Sequence, residues 1–256
     1  MGDLGVKYIW QSQDQLINNI RQMLKTIKDK NYGIEIENLY NDFINNIYEN
    51  IYASKENKKI LITLYYSLKI IKENIEKNNL EFKDELFIKN IDNINNKCLS
   101  EEIINGIAIS CRNEHEENKL KYYGYLLGNL MFKNDLDRDE CNRLIKLSRK
   151  LTYCQIKLIN MYVISQTIQI PILQREDYTK LGIRDYKLLG ILQDTLDMIQ
   201  KSILNGSVKL VLDVVQINPS KIKVQGIGIL LYNNMSINKM PYDELEDILD
   251  LLSYKN

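Results

Sequence analysis

Apolar residues recur at intervals of three and four along most of the chain, which is the spacing of side chains on one face of an α-helix. The clearest run lies between Leu61 and Ile75, where additional apolar residues widen the stripe, so we expect this helix to lie centrally in a bundle. Ser100 and Thr152 are the expected N-caps of two of the helices. The pattern predicts helices over about 14–30, 36–51, 61–75, 84–94, 100–109, 120–132, 144–151, 152–166, 174–182 and 184–204.

The C-terminal third changes character after its strongest helical stripe. Asn205 and Gly206 form a C-cap signal that is expected to end this helix. The segment VKLVLDVVQI is rich in β-branched residues, and a turn at Asn218 to Ser220 leads into KIKV, so we expect a small β-hairpin between about 207 and 225. A closing acidic helix is predicted over Asp243–Tyr254, with four leucine and isoleucine residues facing inward: Leu245, Ile248, Leu249 and Leu252.

Together these elements predict a mostly α-helical protein. We expect a helical bundle over residues 1–150 and a winged-helix-like module with one small β-hairpin over residues 151–256, and one continuous domain is the alternative. Pro171 interrupts the helical pattern, and 22 of the 29 asparagines lie at or before Asn142, so the composition changes near the same place. With 256 residues, the chain can bury a full hydrophobic core without a disulfide or a metal.

Charge and cysteine content narrow the class of protein. The 34 Lys and Arg residues balance 34 Asp and Glu residues, so no overall field draws the chain to nucleic acid, to a membrane or to an acidic partner. Cys98, Cys111, Cys141 and Cys154 form no Cys-x-x-Cys pair, and His115 is the single histidine. We therefore expect four reduced structural thiols, no metal and no cofactor.

The first residues, MGDLGVKYIW, have neither the basic nor the apolar region of a secretory signal, and no run of about 18 apolar residues occurs. We expect a cytoplasmic protein that does not enter a membrane.

Asp135, Asp137 and Asp139 alternate as in an EF-hand, but the glycine and the final glutamate of that motif are missing. The better interpretation is a solvated loop at the start of a helix.

His115 is the only imidazole available for acid–base catalysis. It lies among Glu114, Glu116 and Glu117, and Lys119 stands where a metalloprotease helix needs its second histidine. An exposed histidine on the charged face of a helix is therefore a better interpretation than a catalytic base, which also needs a pocket and an orienting partner. No catalytic residue is assigned.

Two glycine pairs have motif-like spacing. Gly124 and Gly128 are spaced Gly-x-x-x-Gly, which in this charged context predicts close packing against a neighbouring helix. Gly226 and Gly228 lack the rest of a phosphate-binding loop. The 17 tyrosines could stack on bases or mark a protein interface, but most have helical spacings beside Leu and Ile, which indicates core and boundary packing.

The order of three helices at 152–166, 174–182 and 184–204 before a hairpin is that of a winged helix. The stretches ENKLKYYGYLLGNLMF, LIKLSRKLTYCQIKLI and KIKVQGIGILLY resemble bacterial proteins of unknown function in which a helical bundle precedes a winged-helix-like end. The resemblance covers about residues 117–232 and rests on apolar positions. Some of these proteins resemble components of phage-defence or mobile-element loci, so it implies a bacterial interaction or sensing role, without supplying a catalytic residue.

A DNA-binding function can be examined through charge, because a recognition helix faces phosphates. The candidate recognition helix over 184–203 carries three basic and three acidic side chains, which are Arg184, Lys187, Lys201, Asp185, Asp194 and Asp197. Only Lys209, Lys221 and Lys223 could form a basic wing, and three lysines on a hairpin are typical of a solvated strand edge.

The leading hypothesis is a non-enzymatic partner-binding or scaffold protein whose C-terminal module contacts protein or another copy of the chain. The runner-up is a winged-helix DNA-binding regulator that uses the three lysines. An enzyme with dispersed carboxylates is the third hypothesis, because one sequence does not show which carboxylates cluster in space.

Overall fold

The computed structural model describes residues 27, 38, 55–77, 80–83, 98–132, 135–168, 170, 186–206 and 214–252. Within these ranges the chain is mostly helical with one small antiparallel sheet, which confirms the mostly α fold class. The predicted helices over 14–30, 36–51, 84–94 and 174–182 lie almost wholly outside the described residues. The described elements are α1 (Lys55–Glu76), α2 (Leu99–Asn113), α3 (Leu120–Leu130), α4 (Arg138–Lys150), α5 (Tyr153–Thr167), α6 (Tyr186–Gln200), β1 (Leu204–Asn205), β2 (Lys223–Val224), α7 (Ile227–Asn234) and α8 (Glu246–Leu252).

The chain divides into two compact units, Met1–Arg149 and Lys150–Asn256. In the N-terminal unit, α1 packs against both α2 and α3, and α2 also contacts α3. The wide apolar surface predicted for α1 is buried, and its most buried apolar residues are Ile60, Leu61, Leu64, Leu68, Ile70 and Ile71. α1 therefore buries its wide apolar surface in this unit, where α1, α2 and α3 all contact one another, and its central position stays a prediction.

Gly124 and Gly128 bring α3 directly against the backbone of α1. A Cβ atom on Gly124 would lie 2.7 Å from the Cβ of Tyr66 and closer still to the carbonyl oxygen of Thr63. A Cβ atom on Gly128 would lie 2.8 Å from the carbonyl oxygen of Ser67. The close helix packing predicted from the glycine spacing is confirmed, and no membrane is needed to explain it.

Two helix starts in the N-terminal unit show how local hydrogen bonds set the boundaries. The prediction that Ser100 caps α2 is wrong, because Cys98 is the N-cap residue and its backbone N–H donates to the Glu101 carboxylate at 3.0 Å. Ser100 lies buried in the first turn. Before α4, the Asp137 carboxylate accepts from the Glu140 N–H at 2.8 Å, and the Glu140 carboxylate accepts from the Asp137 N–H at 2.9 Å. This reciprocal pair is a capping box, which confirms the helix-start interpretation of the aspartate-rich loop.

The C-terminal unit is built around α5 and α6, which contact each other. Thr152 caps α5 as predicted, since its hydroxyl accepts from the Gln155 N–H at 3.1 Å. The prediction that Asn205 and Gly206 end α6 is wrong, because the helix ends at Gln200 and Ser202 adopts a left-handed conformation with φ of 59°. The N–H groups of Ser202 and Ile203 then donate to the carbonyls of Ile199 and Met198, at 2.9 and 3.0 Å, which is a Schellman ending.

The hairpin prediction is partly wrong in position. β1 lies at Leu204–Asn205, before the β-branched segment, and pairs antiparallel with β2 at Lys223–Val224. Residues 207–213 lie outside the described residues, and Val214–Gln216 form a 3-10 turn instead of continuing a strand. After the Schellman ending, Leu204 pairs directly with β2, so β1 begins four residues after the last residue of α6.

The closing segment packs as predicted on its apolar side. A 3-10 turn over Tyr242–Leu245 leads into α8, and the four predicted inward residues, Leu245, Ile248, Leu249 and Leu252, are all buried. No helix in the described ranges is long and apolar enough to cross a membrane.

Candidate functional site

The charged loop between α2 and α3 contains a buried carboxylate. Glu114 follows the last residue of α2 and is only 6% exposed. One of its carboxylate oxygens accepts from the backbone N–H groups of His115 and Glu116, at 2.9 and 3.0 Å. The other accepts from the Tyr123 hydroxyl at 2.8 Å and forms an ion pair with the buried Lys119 ammonium. Each oxygen of the Glu114 carboxylate thus has two donors, which come from the same loop and from α3.

The electrostatics of this network favour the ionised glutamate. Burial by itself raises the pKa of Glu114, but hydrogen bonds from Lys119, from the Glu116 backbone and from Tyr123 more than offset it, so the pKa lies below its usual value. Burial and the Glu114 carboxylate together raise the pKa of Tyr123. Lys59 of α1 donates its ammonium hydrogens to the carbonyls of Arg112 and Glu114 at the end of α2. The loop is therefore held to both neighbouring helices.

Glu114, His115 and Glu116 are the one described group whose donor atoms lie close enough together, within 4.8 Å, to be considered as a metal site. The Glu114 oxygens, however, already accept four hydrogen bonds, and the Lys119 ammonium also lies 3.9 Å from a Glu116 oxygen. A metal cation would have to displace this ammonium. The residues do not fit a metal ion, and we assign the cluster a structural role.

His115 is exposed, as predicted, with 91% of its side chain accessible, but it lies in the loop after α2 and not on a helix. Its Nδ1 is 3.5 Å from the saturated Glu114 carboxylate. A general base needs an orienting acceptor and a sheltered substrate position. The structure brings His115 neither of these from the described residues.

A second polar cluster joins α5 to α6 in the C-terminal unit. Gln155 is 2% exposed, and its side-chain nitrogen donates to Asp194 at 3.0 Å and to Asp197 at 2.8 Å. Its side-chain oxygen accepts from the Thr152 N–H at 3.2 Å. Lys201 forms an ion pair with Asp197. We call these four residues, Gln155, Asp194, Asp197 and Lys201, the α5–α6 junction.

The two carboxylates of the junction are perturbed in opposite directions. Burial raises the pKa of Asp194, and the nearby charge of Asp197 adds to that increase. Burial acts the same way on Asp197, but hydrogen bonds from Lys201 and Gln155 outweigh it and lower its pKa. Cys154 forms a hydrogen bond with Asp194, and burial and that carboxylate raise the pKa of the thiol to about 12. The thiol is therefore protonated at neutral pH and is a poor nucleophile.

The other cysteines are also unsuited to nucleophilic chemistry. All four thiols are free, and Cys98, Cys111 and Cys141 are buried. Burial raises the pKa of Cys111 and of Cys141 to about 11.

The three lysines of the possible basic wing are only partly described. Lys209 lies outside the described residues. Lys221 is exposed in a 3-10 turn over Pro219–Lys221, and Lys223 is exposed in β2, opposite Asn205. Both described lysines are thus exposed, but only Lys223 belongs to the sheet.

Sequence reasoning missed the α5–α6 junction. Thr152 and Gln155 have the spacing of a capping box, and this was the only local signal. Nothing in the local sequence shows that the same glutamine also reaches Asp194 and Asp197, some 40 positions later.

Comparison of the chain with protein-family models, with curated proteins and with solved structures gives no match.

Proposed function

We propose that the chain is a non-enzymatic partner-binding or scaffold protein and that its C-terminal unit contacts another protein or a second copy of the chain. The resemblance noted in the sequence supports a bacterial, cytoplasmic setting and a role in phage defence or in a mobile element. The finer fold assignment, a winged-helix-like C-terminal module, belongs to the same proposal.

The observation that carries this proposal is the outward stripe of α6. Its exposed residues are Tyr186, Lys187, Gly190, Gln193 and Gln200. Tyr186 is 68% exposed, and Lys187 is the one charged residue of the stripe. Interface cores are depleted in charged residues and enriched in aromatic ones, and tyrosine is frequent among the residues that dominate binding energy. With one tyrosine and one charged residue among its five members, the stripe is compatible with a protein interface.

The rest of the C-terminal unit is compatible with protein contact. Tyr242 is 58% exposed beside the exposed acids of the closing segment, which include Asp243 and Glu246. These carboxylates would repel phosphates near them.

The runner-up, a DNA-binding regulator, is supported by the exposure of Lys221 and Lys223. Its weakness is the number of cations. The phosphate backbone dominates DNA affinity, and the logarithm of the DNA-binding constant falls with the logarithm of salt concentration by about 0.9 for each phosphate that a basic side chain neutralises. The α6 stripe offers one cation for phosphate contact, Lys187, because the nearby Lys201 ammonium is already paired with the Asp197 carboxylate.

The third hypothesis, an enzyme with dispersed carboxylates, finds its best place at the α5–α6 junction. Neighbouring carboxylates whose pKa values are driven apart are a feature of acid–base pairs. Here both carboxylates accept from the buried Gln155, and the adjacent Cys154 is protonated, so a structural role accounts for each group.

The direct test places a photo-cross-linking amino acid at Tyr186 or at Tyr242 of the full chain in its native host. The matched control position is Lys146, an exposed residue of the N-terminal unit. We expect discrete protein adducts, to a partner or to a second copy, from position 186 or 242 and none from 146. A chain that forms no adduct from either tyrosine position and sediments as a monomer would contradict the proposal.

The same protein is titrated with duplex DNA across a salt series, beside a variant with Lys209, Lys221 and Lys223 changed to Glu. We expect no submicromolar binding at physiological salt. Submicromolar binding that the triple variant loses would replace our proposal with the DNA-binding regulator.

A further inference from the structure

The α5–α6 junction carries more negative charge than its cation can balance. Gln155 holds two carboxylates of adjacent turns of α6 with one amide nitrogen, and Lys201 pairs with Asp197 only. Asp194 therefore remains half-buried, next to a second carboxylate and without an ion-pair partner in the described structure. Like charges in a partly desolvated site repel strongly, and binding one proton is the simplest relief.

The groups that face Asp194 come from α5 and α6, and α8 is the third helix packed against α6. From α5 these are Cys154, Gln155 and, more distantly, Lys157; from α6 they are Asp197 and Lys201. From α8, Asp247 also acts on Cys154, but Lys157 pairs with it at 2.9 Å. The other described elements against α6, the 3-10 turn Val214–Gln216 and β1, contain no titratable side chain.

We propose that the α5–α6 junction is a proton-operated latch, in which Asp194 takes up one proton on acidification and α5 is then held more tightly against α6. A protonated Asp194 still accepts the hydrogen bond from Gln155 through its carbonyl oxygen, and the repulsion from Asp197 disappears. The Asp197–Lys201 ion pair is unaffected, because Asp197 stays ionised.

The sign of the effect follows from the proton balance. The pKa of Asp194 is raised in the folded unit, so between the unfolded value, about 3.9, and the folded value the native state holds more protons than the unfolded state. The contribution of Asp194 to stability is then greatest at low pH and declines as the pH rises through this window. Asp197 has the opposite sign, since its lowered pKa gives stability that is lost only in stronger acid.

Hydrogen exchange of the full chain, measured by mass spectrometry between pH 7.5 and 4.5 and corrected for the intrinsic pH dependence of exchange, tests this latch. We expect protection of α5 and α6 to rise several-fold on acidification. In Asp194→Asn, which imitates the protonated acid, protection should be high at pH 7.5 and nearly independent of pH. Asp243→Asn, which changes an exposed carboxylate of the same unit outside the junction, is the matched control and should keep the wild-type response.

A second variant, Lys201→Met, keeps the proposal testable if Asp194→Asn does not fold. In Lys201→Met the cation is missing, so the rise in protection should occur at higher pH than in the wild type. Protection of α5 and α6 that stays flat or falls on acidification, or an unchanged pH response in Asp194→Asn, would overturn the latch. None of these results depends on a binding partner, so the outcome is separate from that of the proposed function.

Discussion

Gly124→Ala tests whether α3 lies directly on α1. The new Cβ would lie 2.7 Å from the Cβ of Tyr66, whereas carbon atoms in contact prefer about 3.5–4.0 Å, so the overlap is close to 1 Å. The other near atoms are backbone, the Thr63 carbonyl oxygen and the Ser67 nitrogen, and these cannot rotate away. Overpacking costs about 1–3 kcal/mol, and we expect the upper end here. Better helix propensity returns up to about 1 kcal/mol. The expected net loss is about 2 kcal/mol.

Gly190→Ala is the matched control, because a Cβ on this helical, exposed glycine meets no atom within 4 Å. It should stabilise α6 by about 0.5–1 kcal/mol through helix propensity alone. Both variants are compared with the wild type by urea unfolding followed by circular dichroism, and hydrogen exchange assigns each change to its own helix. If Gly124→Ala were as stable as Gly190→Ala, the close approach of α3 to α1 would be refuted.

Three further predictions concern buried polar groups and thiols. Lys119→Met should destabilise the chain by about 3–5 kcal/mol in urea unfolding, because it leaves the Glu114 carboxylate buried without its cation. Its control, Lys146→Met at an exposed position, should change the stability by less than about 0.5 kcal/mol. Equal effects of the two variants would contradict the Glu114 network. Gln155→Ala should cost about 2–3 kcal/mol, since two carboxylates and the Thr152 N–H lose their partner, whereas the exposed Gln193→Ala should be nearly neutral in the same titration. Four thiols should titrate after denaturation without reductant. In the native protein, Cys154 should react slowly with a thiol reagent at pH 7.5 and faster in Asp194→Asn. Fast labelling of Cys154 in the wild type would show that the Asp194 carboxylate does not lower the reactivity of the thiol.

Acid stability provides a check on the Glu114 network. The pKa of Glu114 is lowered by its hydrogen bonds, so its contribution to stability is present above the unfolded value, about 4.3, and is lost as the pH falls below it. Acidification below about pH 4.3 should therefore weaken the N-terminal unit, whereas the α5–α6 junction gains its protection above about pH 3.9. Opposite pH responses within one chain distinguish the two carboxylate networks.

Periodicity in the sequence was sufficient to determine most of the described helices and their buried faces. The wide stripe of α1, the inward residues of α8 and the Thr152 cap all depend on neighbours within one or two helical turns, and such short-range relations are visible in the order of residues. The Gly124–Gly128 spacing likewise indicated close packing, because only a missing side chain leaves room for another backbone.

Where two local signals compete for the end of a helix, only the tertiary structure decided which of them is used. Asn205 and Gly206 have the composition of a helix end, but Ser202 takes the left-handed position first because Ile203, which is buried, then continues into the pairing of β1 with β2. A local C-cap preference is worth little beside the burial of an isoleucine side chain, about 1.5–3 kcal/mol. The choice between two possible endings was therefore made by the core.

The polar clusters depended on tertiary structure in the same way. In the charged stretch RNEHEENK every residue is a candidate for solvent exposure, and Glu114 and Lys119 are buried because Lys59 of α1 and Tyr123 of α3 supply hydrogen bonds from outside the loop. Gln155 meets Asp194 only because α5 packs on α6. Desolvating a charged or polar group is unfavourable unless partners are supplied, and those partners lie far apart in the sequence, so periodicity predicted the helices but not which polar side chains would be enclosed between them.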